Sequence, residues 1–206
     1  MSSSSLYAID KGLFGERVEE FSNSWLFSPI IWDVLADKHI EESKKMNEYG
    51  FKRNVIGDHD LWREINDIMN HSDCLMDRIC WEISNQQIFF TKNKDIIIGA
   101  IKDFLKYNSN FAEIDGERVL KIEHIKDRIL EVCESIEKIR EEEYPFFQFK
   151  NTSCDDSVER LFYNYEEDRE ASLKEEHESI HEFIILKDGS MTFIANTDYE
   201  KALYLV

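Results

Sequence analysis

Residues 122–150 read IEHIKDRILEVCESIEKIREEEYPFFQFK, and both halves of the fold class are written in them. Ile122, Ile125, Ile129, Val132, Cys133, Ile136 and Ile139 recur every three or four residues, the spacing that lines one side of an α-helix. Tyr144-Pro145 ends that pattern, because the residue before a proline is pushed out of the helical region. Phe147 and Phe149 then alternate with Gln148 and Lys150, which predicts a half-buried strand.

Working upstream, Asp95 opens a further helix that buries Ile97, Ala100, Ile101, Phe104 and Leu105. Before it, Leu61, Ile65, Ile68, Met69, Leu75, Met76, Ile79, Cys80 and Ile83 keep the helical spacing, with a break predicted at Asn70 to Asp73. Ser28-Pro29 marks another helix start, since serine caps free amides and proline suits the first helical position; Gly50 offers its stop near Tyr49. Leu6 to Ile9 reads as a short strand before a turn at Asp10 to Gly12, and residues 1–5 read as a flexible tail.

Working downstream, Asp155, Asp156 and Ser157 offer caps for a helix burying Val158, Leu161, Phe162 and Tyr165. The charged run from Glu166 to Glu178 is predicted to be an exposed helix. The end is a hairpin: two apolar runs flank Asp188-Gly189, a dipeptide suited to a tight two-residue turn. With only seven Gly and two Pro in 206 residues, long helices with short connections are favoured over a many-stranded sandwich. The expected fold is one mainly helical α+β domain over residues 1–206, with a small antiparallel sheet that includes the C-terminal hairpin.

Charge narrows the function classes. Between Glu131 and Glu182 stand 17 Asp and Glu against six Lys and Arg, so this stretch carries about −11 of the formal net charge of −18. Such a field repels nucleic acid and anionic membranes and attracts basic protein surfaces. The chain also holds 14 Phe, 8 Tyr and 4 Trp, apolar material that disordered acidic chains lack. The charge therefore decorates a folded body. No basic, apolar leader is legible, and no apolar run is long enough to span a bilayer. Cys80 and Cys133 fall on apolar helical faces, where reduced core thiols are expected. A cytoplasmic location is the expectation.

The sharpest motif is His177-Glu178-Ser179-Ile180-His181, which matches H-E-x-x-H. On a helix His177 and His181 share a face and could ligate zinc, with Glu178 activating water and Glu200 as a conceivable third ligand. Lys174, Glu175, Glu176 and Glu182 surround it with solvated charge, and a strand pattern begins at His181 or Glu182. Both features weigh against a catalytic site, so no metal and no cofactor are expected, and the zinc hydrolase stands as the alternative. Asp58, His59 and Asp60 with His71 and Asp73 form a second weak grouping, better read as a helix cap with surface histidines. Trp25, Phe27, Trp32 and Tyr49 read as core rather than as an aromatic pocket.

No phosphate-cradling glycine loop or nucleophile elbow is present. The residues singled out for binding are the carboxylates Glu141, Glu142, Glu143, Asp155, Asp156, Glu166, Glu167 and Asp168. A triple glutamate at the end of a helix opposes the helix dipole, a cost that a basic partner would offset. The expected function is a non-enzymatic, acidic binding or inhibitor protein of the immunity or anti-defence type. Its expected partner is a basic protein, such as a nuclease or other nucleic-acid-binding protein, without direct contact to nucleic acid or membrane. The remaining alternative is an acidic structural domain with no inhibitory role.

Overall fold

The computed structural model describes residues 3–22, 27–45, 53–108, 122–151, 162–164, 166–175 and 181–206, with backbone only at residues 3, 22 and 122–125. In chain order the elements are β1 (Ser3–Ile9), β2 (Gly15–Ser22), α1 (Ser28–His39), α2 (His59–His71), α3 (Leu75–Ser84) and β3 (Ile88–Phe90). They continue with α4 (Lys94–Tyr107), α5 (Ile122–Glu137), β4 (Phe146–Asn151), β5 (Tyr163–Asn164) and β6 (Arg169–Glu170). The chain closes with β7 (Phe183–Lys187), β8 (Ser190–Ile194) and α6 (Tyr199–Tyr204). This is an α+β fold.

Among the described residues, six strands form one sheet in the order β2-β1-β4-β3-β7-β8, and β5 pairs with β6. The sheet is mixed rather than wholly antiparallel, because β3 and β7 run parallel, with Ile88 opposite Phe183. Side chains alternate across the sheet, so each strand feeds two cores. One face carries Leu6, Ala8, Phe147, Phe149, Ile184 and Leu186 against the buried sides of α1 to α5. The other carries Ile9, Ile88, Phe90, Phe146 and Phe183 against a thinner cover of Leu13, Phe162, Leu173 and Ala202.

That second cover corrects the reading of Phe146–Asn151 as half-buried: all six residues of β4 are buried. The polar positions are held by specific partners. Gln148 Nε2 donates to the Gln86 carbonyl at 2.6 Å, and Lys150 Nζ lies 4.9 Å from the centre of the Phe162 ring. The expected flexible tail is also corrected, since Ser3, Ser4 and Ser5 belong to β1. Ser4 pairs with Phe21 on one side and with Asn151 on the other, and its hydroxyl donates to Asn151 Oδ1 at 2.7 Å. Serine is tolerated in the sheet interior because that bond replaces the one lost to water.

The helical breaks fall largely where the pattern puts them. α2 and α3 are separate, divided at Ser72 to Cys74. Asp58 caps α2, accepting from the Leu61 amide at 3.0 Å. Arg53 donates to the same carboxylate at 2.5 Å and helps hold its pKa at about 2. α1 ends earlier than predicted, at His39 with Ile40 extended; Tyr49 and Gly50 lie outside the described residues. Its lower end is locked to α3 by buried Asp77, which accepts from Lys38 Nζ at 2.7 Å and lies 2.8 Å from His39 Nε2. In the last hairpin Asp188 (φ 51°) and Gly189 (φ 75°) both take the left-handed conformation, as a two-residue turn of this kind requires. Among the described residues no helix is long and apolar enough to cross a membrane.

Candidate functional site

The connection from β1 to β2 folds on itself first. Asp10 accepts the Phe14 amide on its side chain at 2.9 Å, while the Asp10 amide donates to the Phe14 carbonyl at 3.0 Å. This tight turn places Leu13 at φ 67° with its side chain fully buried in the second core. The segment after β4 is stitched to the same turn: the Leu173 amide donates to the Leu13 carbonyl at 3.0 Å, and Phe14 bridges to Ser172. Gly15 then meets the face of Phe162 so closely that a Cβ there would lie 2.6 Å from the ring.

These contacts leave a cleft of about 470 Å³ where three separate parts of the chain meet. Asp10, Phe14, Gly15 and Glu16 form one wall, Glu143 and Tyr144 a second, and Phe162 and Glu170 a third. The Tyr144 hydroxyl donates to the Glu16 carboxylate, and that bond, with the nearby charge, holds the phenol proton above its ordinary pKa. Arg140 pairs with Glu143. Among the described residues the Glu170 carboxylate has neither an ion pair nor a hydrogen bond. The lining thus combines four carboxyl groups with three aromatic rings, a surface suited to a cation.

The sequence-derived carboxylates divide around this cleft. Glu143 lies in it, and Glu141 and Glu142 are exposed in the same turn. That turn is not helical, since α5 stops at Glu137. Lys94 Nζ caps the helix by donating to the carbonyls of Glu137 at 3.0 Å and Ile139 at 2.7 Å. The expected unfavourable triple glutamate at a helix end is therefore corrected: a lysine already meets the end carbonyls, and Arg140 meets Glu143.

Glu166, Glu167 and Asp168 lie in the turn between β5 and β6, the hairpin whose second strand supplies Glu170. The exposed helix expected over residues 166–178 is absent from its described part. Asn164 Oδ1 accepts the amides of Glu166 at 3.0 Å and Glu167 at 3.1 Å, which bends the chain, and Asp168 at φ 50° completes the reversal. Arg169 then bridges Glu167 at 2.5 Å and Glu175 at 2.7 Å, holding the Glu175 carboxyl at about 2. Asp155 and Asp156 lie outside the described residues.

The other sequence-derived groups do not assemble a catalytic centre among the described residues. His177 and Glu178 lie outside them, His181 is buried just ahead of β7, and Glu200 is exposed on α6. Among the described residues no three His, Cys, Asp or Glu side chains come together as a metal site. Asp58 is used as a cap, and His71 Nδ1 lies 2.8 Å from the Asp67 carbonyl oxygen. Burial pushes the Cys133 thiol up to about 12 and the Cys80 thiol well above its ordinary value, so neither supplies a thiolate at neutral pH. Phe27 and Trp32 sit in the helical core, whereas Trp25 and Tyr49 lie outside the described residues.

Sequence reasoning missed Asp10, Phe14, Glu16, Tyr144, Phe162 and Glu170 as partners. Their meeting depends on the long-range pairing of Phe14 with Ser172, which no local spacing announces. Comparison with known protein families, curated proteins and solved structures finds no match to this chain.

Proposed function

We propose that this chain is a non-enzymatic acidic binding protein of the inhibitor type, engaging a basic protein surface. The observation that carries this reading is the convergence of Asp10, Glu16, Glu143 and Glu170 on one cleft. Carboxylates grouped on a fixed framework speed encounter with a cationic partner and set its orientation. They can also occupy the places that phosphates take in a nucleic-acid channel, which suits a nuclease or similar target. The free thiols of Cys74, Cys80 and Cys133 fit a cytoplasmic setting.

The test begins by identifying a basic partner through affinity capture from the native host. The association rate of the purified pair is then measured across a salt series. Binding should slow steeply with salt, and converting Glu166, Glu167 and Asp168 to Lys should weaken it by more than about tenfold. Association that ignores salt and survives this reversal overturns the electrostatic reading.

A further inference from the structure

We infer that the cleft seats a single arginine side chain of that basic partner; this rests on the reading just given and assigns its contact point. The cleft, about 470 Å³, has room for one arginine side chain with some water. Its chemistry has two parts. Glu170 offers a carboxylate that makes no other bond among the described residues, with Glu16, Glu143 and Asp10 adding negative potential around it. The walls are rings: Phe14 is 39% exposed at the rim, with Tyr144 and Phe162 further in.

A guanidinium is planar and weakly hydrated, stacks on rings and meets a carboxylate through two N–H groups at once. An ammonium keeps a tight water shell and presents a point charge. Rings beside a carboxylate therefore favour arginine over lysine. The buried Phe162 ring is already taken by Lys150, whose Nζ lies 4.9 Å from its centre, so stacking falls to Phe14 and Tyr144 while Phe162 backs the cleft. Gly15 keeps that ring in place, because any larger residue would strike it.

The test is a titration of the isotope-labelled full chain with hexa-arginine and with hexa-lysine, followed by amide and aromatic NMR. Shifts should concentrate at Phe14, Tyr144, Phe162 and Glu170, with hexa-lysine at least about threefold weaker. Glu170→Gln and Phe14→Ala, both at exposed positions, should each weaken hexa-arginine by at least about threefold. Glu64→Gln, exposed on α2 and outside the cleft lining, should change it by less than about twofold. Salt-sensitive binding whose shifts lie elsewhere, with Glu170→Gln behaving as wild type, overturns the cleft assignment and leaves the broader acidic reading standing. Equal affinity for the two peptides overturns the preference for arginine. Failure of both peptides to bind, even at low salt, overturns both readings.

Discussion

Gly15 lies against the ring of Phe162, leaving only 2.6 Å between a would-be Cβ and the ring. Gly15→Ala must therefore displace the ring that forms one wall of the cleft and part of the second core. A loss of about 1–3 kcal/mol in urea denaturation is expected. In a Phe162→Ala background the same change should cost far less, because the obstacle is gone; equal costs in both backgrounds would refute the contact.

Asp77 is fully buried between Lys38 and His39. Replacing it with Asn removes the anion while Lys38 keeps its charge, and the α1–α3 contact weakens. Lys38 is 28% exposed and can turn toward water, so a loss of about 2–3 kcal/mol is expected, below the full cost of stranding a buried charge. Chemical denaturation of Asp77→Asn beside wild type measures it.

Glu82 sets a pH dependence. Burial first, and the negative Glu182 second, push its carboxyl up to about 7, against the pull of Arg78. The folded state then binds its proton more tightly than the unfolded chain, so stability falls as pH rises from the ordinary glutamate range through about 7. Glu82→Gln should leave stability near pH 4 almost unchanged and raise it at pH 8.5 by about 1–3 kcal/mol. Equal effects at both pH values would show that Glu82 ionises normally in the fold.

Lys94 carries the end of α5 through two carbonyl bonds, at 3.0 Å and 2.7 Å. Lys94→Met keeps most of the apolar stem and loses both bonds, so about 1–2 kcal/mol should go. Hydrogen exchange should quicken first at Ile136 and Glu137. Protection lost evenly over the whole chain would place the role of Lys94 elsewhere.

Helices α2 to α5 were legible because each shows one apolar side to a common core: Ile129, Val132, Cys133 and Ile136 of α5 all face it. The Asp188-Gly189 turn was legible because its backbone conformation restricts the residues that can serve there. The N-terminal serines were not, since what keeps Ser4 in the sheet is Asn151, 147 residues away. β4 misled for a related reason. Gln148 and Lys150 look like solvent positions until Gln86 and Phe162 arrive from distant parts of the chain. Of the carboxylates singled out in the sequence, only Glu143 is among the four that line the cleft. Asp10 and Glu16 sit outside that stretch, and Glu170 looked like one more charge on a helix.

The strand order β2-β1-β4-β3-β7-β8 also constrains how the molecule assembles. β1 gains its second neighbour only when β4 docks, and β3 awaits β7, with Ile88 finding Phe183. Most of the sheet is therefore built from contacts remote in sequence, the kind that slows folding. Until β4 docks, Leu6, Ala8 and Ile9 sit on a strand that lacks its second neighbour, with apolar surface uncovered. The sheet closes only when β7 reaches β3, and slow, late-closing refolding is the kinetic mark this topology leaves.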